Sequence, residues 1–399
     1  TRLSLSILWI ALFANNVHAE DADTLQVQQK TIHRLEWDVV PSTILHTNPY
    51  LKGANDERRT MNHAFTTRLK YAFQMPQASV QAQTYKDAYQ GIGLAYHNLN
   101  PQLGNPLSAF IFQGAPIKRF TSSLSLNYEW NLGLTFNWHP YNQETNPQNK
   151  VIGSKVTAYI DADFYLRWRL SNHLDLNAGI SLSHYSNGNT SIPNAGLNII
   201  GGRVSLAYYL NRKNDKLIPK RAIPPFNKHI SYDLLVYGAW RKQGMYLDGN
   251  PVALPDRYGV IGFNFTPLYN LNHWFNAGIS LDGVYDSSSN LYIEDYLVEI
   301  GGSHNDLDHV VSPSAIRQMS LGLSARAEFV MPYFTINAGM GKNIINAHAE
   351  LKGWYQTLAL KVDVAHSVFL NIGYSLYDFK TPNHLMLGVG YHFHHKRGR

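Results

Sequence analysis

The chain has 399 residues, 44% apolar and only 16% charged, with a formal charge of +6 and no cysteine. So modest a positive charge excludes a nucleic-acid binder on electrostatic grounds, and the absent thiols fit an oxidising compartment. Tyrosine, with 25 residues, outnumbers each of the other aromatics, as expected where rings sit at a membrane–water boundary.

Residues 1–19 read as a secretory signal peptide: Arg2 is the positive end, Leu3 to Phe13 the apolar core, and Val17-His18-Ala19 the small-residue cleavage site. No later stretch reaches the ~18 apolar residues of a transmembrane helix. Strand signals follow instead. Leu124, Leu126, Tyr128, Trp130, Leu132, Leu134, Phe136 and Trp138 alternate with polar residues, and Val156 to Leu170 repeats the pattern. Runs of this length match tilted strands crossing a bilayer. About sixteen candidate strands emerge. They lie near 32–46, 62–75, 87–98, 106–115, 121–138, 154–170, 173–187, 197–210, 229–242, 258–267, 273–286, 315–330, 333–345, 355–364, 367–378 and 384–393. The expected fold is an all-β, antiparallel outer-membrane barrel of about 14–16 strands, the alternative being an eight-stranded barrel plus a second strand set. Residues 32–210 form one part and 230–399 the additional strands; the basic, Pro-containing segment 211–229 between them reads as a solvated loop.

Short turns such as 171–173, 331–332 and 364–366 alternate with long connections such as 139–153, 287–314 and 346–354. Barrels of this kind keep short turns in the periplasm, so the seventh strand is expected to run outward. Its apolar stripe, Leu174, Leu176, Ala178, Ile180 and Leu182, is continued by His184 and Ser186 at the outer end. Two strand rises of ~3.3 Å separate this histidine and serine, close enough for base and nucleophile. On the next strand Asn198 shares the outward parity, so its amide oxygen is placed to accept Nδ1–H of His184. Asn187, Asn194 and the Gly188 N–H are candidate oxyanion donors. In this reading His184 deprotonates Ser186, which attacks an acyl ester, and water then frees a fatty acid. Inward-parity Glu129, Asp161 and Asp163 are expected in a buried network with Lys155, Arg167 and Arg169.

His184-Tyr185-Ser186-Asn187 with Pro193-Asn194 resembles the signature of the lipid A 3-O-deacylases, the PagL-type family. The spread from Ser186-Asn187-Gly188 to Ala195-Gly196-Leu197-Asn198 is similar to its longer acyloxyacyl hydrolase form. The resemblance covers about residues 120–210 most specifically. It implies a barrel whose His/Ser/Glu triad faces the outer leaflet, removes an ester-linked acyl chain from lipid A of lipopolysaccharide, and needs no metal or other cofactor. Ser186 would be the nucleophile, His184 the base and Asn194 an oxyanion donor. By spacing, the family's glutamate falls on Asn198, which orients without supplying charge.

The rival reading is a non-catalytic barrel, a channel or structural protein, supported by the second strand set; a third is an esterase acting on phospholipid. A homodimer is compatible with each. His304, Asp306, Asp308 and His309 read as a solvated loop, His392, His394 and His395 as a polar tail, and Gly91-Ile92-Gly93 as part of a strand.

Overall fold

A computed structural model describes residues 30–212, 222–247, 250–254, 256–293, 310–346, 353–379 and 381–394. The signal-peptide segment, the 304–309 cluster, His395 and the basic end of the chain lie outside the described residues.

Eight antiparallel strands close a first barrel: β1 (Ile32–Ile44), β2 (His63–Gln74), β3 (Tyr89–Asn98), β4 (Leu107–Arg119), β5 (Leu124–Phe136), β6 (Val156–Arg169), β7 (Leu174–Ser186) and β8 (Leu197–Tyr209). Closure is by β1 on β8, with Trp37 opposite Leu206. The chain continues as β9 (His229–Arg241), a hairpin β10–β11 (Gly244–Leu247, Asn250–Ala253), β12 (Tyr258–Asn272), β13 (Phe275–Asp286), a two-residue pair β14–β15 (Tyr292–Ile293, Val310–Val311), β16 (Met319–Val330), β17 (Phe334–Asn346), β18 (Trp354–Asp363), β19 (Val368–Tyr377) and β20 (Thr381–Phe393). β9, β12, β13 and β16–β20 close a second barrel, β20 pairing back on β9. The sixteen long strands expected are therefore present, and they are parted as in the alternative, into two eight-stranded cylinders.

Alternation along each strand explains the architecture. Leu69, Leu94 and Trp168 on the first barrel, and Ile279, Leu358 and Val236 on the second, are each more than half exposed. Belts of that size are untenable in water and suit lipid. Among the described residues no helix is long and apolar enough to cross a membrane, so crossing falls to the strands.

The first lumen is filled in layers. Mid-barrel, Glu36, Asp38, Glu129, Asp161 and Asp163 interlock with Arg34, Arg68, Lys70 and Arg203, all nearly or fully buried. The acidic half of this network matches the expectation, but the cations do not. Lys155 is exposed, Arg167 lies 3.8 Å from Asp175 at the barrel's edge, and Arg169 bonds Asn172. The partners come from β1, β2 and β8, brought opposite β5 and β6 only by closure. At the long-loop end an apolar plug of Ile44, Leu51, Leu103, Trp138, Ile152 and Tyr185 seals the cylinder.

The second lumen holds its own ionic sets, Asp282 with Arg326 and Asp233 with Lys361. His392, expected in a polar tail, instead turns inward and contacts Asp233 at 2.6 Å, because its parity on β20 opposes that of the outward Leu387 and Val389. Gly91 and Gly93 are packing positions: a Cβ at Gly91 would lie 1.9 Å from the Tyr71 carbonyl oxygen.

The 211–229 connection joins the barrels. Its start is not solvated: Arg212 forks onto both carboxylate oxygens of Asp175 at 2.7 Å and stacks on Tyr209. Side-by-side contacts between the barrels include Trp130 edge-on to Phe334, at 5.2 Å between ring centres, and Tyr128 Oη with the Met331 sulfur at 2.9 Å.

Candidate active site

β7 starts at the tight 170–173 turn and ends beneath the long loops, the end at which His184 and Ser186 were expected. Both side chains are half-buried on the outer surface, while Tyr185 between them is fully buried. Tyr185 stacks on Tyr159, meets Trp138 edge-on, and hydrogen-bonds His97 at 3.1 Å. That aromatic anchor inside the barrel sets the direction of its two neighbours outside it.

His184 lies opposite Asn198 in the β7–β8 ladder and opposite Ile160 on β6. The cross-strand contact holds: His184 Nδ1 and Asn198 Oδ1 are 2.7 Å apart. Donation from Nδ1 to an amide oxygen selects the tautomer whose Nε2 is free to accept a proton. The hydroxyl of Ser186, opposite Ala158, makes no hydrogen bond among the described residues. A nucleophile–base bond that tightens only with substrate is common in unliganded sites. Exposed Ile160, Leu182, Ile180 and Ile200 extend from the pair along the barrel wall, an apolar track for an acyl chain.

The hairpin after Ser186 is built by amides. Asn187 N–H donates to Asn194 Oδ1 at 3.0 Å, Asn194 Nδ2 to Asn189 Oδ1 at 3.1 Å, and Asn187 Nδ2 to the Ser191 carbonyl at 2.9 Å. Each Nδ2 commits one of two hydrogens, leaving the second for an oxyanion. The Gly188 N–H makes no hydrogen bond among the described residues. The 137–155 loop supports this hairpin: Gly196 N–H bonds the Val151 carbonyl at 3.2 Å and Ser191 Oγ the Gly153 carbonyl at 2.8 Å.

Gly196 escaped the sequence reading. Its φ is +73°, and a Cβ there would sit 3.0 Å from Cε1 of His184. The glycine is needed for its left-handed backbone and for room beside the imidazole. Gly196→Ala is expected to lower acyl release at least ~10-fold by displacing the ring, measured as fatty-acid release by the folded variant.

Two lipid-facing cylinders, one bearing an outward serine, histidine and asparagine at a rim, define a membrane-barrel class with hydrolase-type surface chemistry. The lipid A 3-O-deacylase (PagL) family model matches residues 65–207, within the first barrel. The model of the acyloxyacyl hydrolase C-terminal domain matches residues 230–395, the second barrel. The chain belongs to the PagL-type lipid A deacylase family, in its long, two-domain form, and is an outer-membrane protein. No curated protein matches it. Among solved structures, the outer-membrane enzyme PagL aligns at 12% identity and TM-score 0.30, covering 43% of this chain and 97% of that one. The siderophore receptor PirA from Acinetobacter baumannii aligns at 9% and 0.21, covering 89% and 69%. Omp33 of the same organism aligns at 7% and 0.17, covering 91% and 98%. The assignment rests on the two family models.

Proposed function

We propose that the chain is a serine esterase of the outer leaflet that removes an ester-linked acyl chain from lipid A of lipopolysaccharide. The His184–Asn198 hydrogen bond on the lipid-facing surface, with Ser186 two residues further along the same face, carries this reading. The substrate's acyl chain lies along the Ile160–Leu182–Ile180 track, with its ester at the rim. His184 Nε2 takes the hydroxyl proton as Ser186 Oγ attacks the ester carbon. The Gly188 N–H and the uncommitted amide hydrogens of Asn187 and Asn194 are the candidate donors to the oxyanion. Collapse of the tetrahedral intermediate expels the sugar alkoxide, which takes the proton from His184. Water, deprotonated by the same base, then attacks the acyl-enzyme and releases the fatty acid. The residues used need no metal.

Asn198 holds the imidazole in register but gives no charge to the imidazolium. Asn198→Ala is expected to cost roughly 10-fold in turnover, the worth of one hydrogen bond of about 1.4 kcal/mol. Asn198→Glu is expected to raise turnover by supplying that charge. Fatty-acid release from purified lipid A measures both; no response to either change would remove Asn198 from the orienting role.

The channel reading asks for one wide pore; an eight-stranded cylinder leaves room only for side chains, and in the first barrel Arg68, Arg203, Tyr159 and Tyr165 are buried in the lumen, which supports the esterase reading over a pore through that barrel. The deciding test is the lipid A mass spectrum of cells expressing the chain, expected to lose one ester-linked acyl group. Intact lipid A with newly formed lysophospholipid would move the substrate to phospholipid.

A further inference from the structure

The second barrel touches the first at the hairpin that follows Ser186. Lys242, just past the end of β9, donates its backbone N–H to the Asn189 carbonyl at 2.8 Å. Leu385 of β20 closes over Gly188: a Cβ on that glycine would lie 2.8 Å from the Leu385 Cδ2 methyl carbon. Leu385 has the outward parity of Leu387 and Val389, yet it is half-buried while they are exposed. Gly188 and Asn189 have φ of +63° and +64°, left-handed conformations that glycine and asparagine adopt readily, so the turn itself is cheap and its placement falls to the contacts around it. From Asn189 a relay of amide bonds runs through the Asn194 side chain to the Asn187 N–H, beside Ser186.

We propose that the second barrel is a positioning element for the reaction on the first. Through the Lys242 N–H and the Leu385 side chain it clamps Gly188-Asn189, and the Asn189–Asn194–Asn187 relay passes that constraint to the backbone adjoining the nucleophile. Lys242 and Leu385 touch no substrate; they act through the hairpin. This inference rests on the esterase reading above for its effect on rate, but not for its effect on the hairpin. The 137–155 loop braces the hairpin at Ser191 and Gly196, and the neighbouring cylinder supplies a second wall at Gly188-Asn189, on the side of the nucleophile.

The test uses the full chain in detergent micelles, with purified lipid A as substrate. Lys242→Pro removes the backbone donor and Lys242→Ala keeps it; Leu385→Ala removes the cover and Leu385→Met restores it. Expected for Lys242→Pro and Leu385→Ala is a kcat lower by roughly 10- to 100-fold, the cost of a misplaced reacting group, with KM unchanged. Hydrogen exchange of the 187–196 amides should quicken in the same two variants. Lys242→Ala and Leu385→Met should match the parent in both readouts. Should Lys242→Pro fail the heat-modifiability test of folding, the Leu385 pair decides alone. Parental exchange and kcat in folded Leu385→Ala would overturn the proposal, as would equal losses in Lys242→Ala and Lys242→Pro. Quickened exchange in a protein whose parent releases no fatty acid would sustain the clamp and sink the esterase reading instead.

Discussion

If the proposed mechanism holds, replacing Ser186 by alanine is expected to abolish loss of the ester-linked acyl chain from lipid A, with turnover falling on the order of 10⁴-fold or more, as for the nucleophiles of serine hydrolases. The fold should not notice. The Ser186 hydroxyl makes no hydrogen bond among the described residues, and the rim is anchored by the inward Tyr185, stacked on Tyr159. The variant should stay heat-modifiable on a gel while the lipid A spectrum reverts to that of cells lacking the chain. Acyl loss that persists in Ser186→Ala would place the nucleophile elsewhere. Since His184 and Asn198 remain paired in that variant, the comparison isolates the hydroxyl.

Arg203→Met should be the most damaging single change to stability. The guanidinium lies 2.6 Å from Glu36, 2.8 Å from Asp163, 3.2 Å from Glu129 and 3.2 Å from Asp38, and its side chain is fully buried. Methionine fills similar volume but leaves these carboxylates to Arg34, Arg68 and Lys70. Stranding buried charge in this way costs about 3–5 kcal/mol, read as a lower urea midpoint for unfolding of the reconstituted barrel. Adding Asp163→Asn to Arg203→Met should recover part of the loss, because one of the abandoned charges goes with it. Strict additivity of the two changes would contradict a shared network.

Much of this molecule was readable from alternation. A period of two over ten or more residues is forced by lipid on one side and a polar lumen on the other, so strand positions came out within a few residues. The outward parity of His184, Ser186 and Asn198 followed from the same count. Ladder register made the His184–Asn198 contact foreseeable, since a hairpin pairs residues by counting back from its turn. His392 belongs to the same pattern: its parity opposes that of Leu387 and Val389, which turns it into the lumen toward Asp233 and not into a polar tail. The 211–229 connection is solvated as expected over residues 222–225, 227 and 228, and among the described residues departs from that reading at its start. Its charge suggested solvent, but Arg212 finds Asp175 on β7, a partner that composition cannot reveal.

What the sequence determined by itself was local and periodic: strand after strand, which face of each meets lipid, and the short motif from His184 to Asn198. The tertiary structure decided whatever depends on closure. Whether sixteen strands form one cylinder or two is settled by β1 meeting β8 and β20 meeting β9, pairings between segments far apart in the chain that no local pattern encodes. Closure also chose Arg34, Arg68, Lys70 and Arg203 as partners of the lumenal acids, and packing of one barrel on the other set Lys242 and Leu385 against the hairpin beyond Ser186. The physical reason is common to these cases: alternation tells a side chain which way to point, and only the closed, packed barrels determine what it finds there.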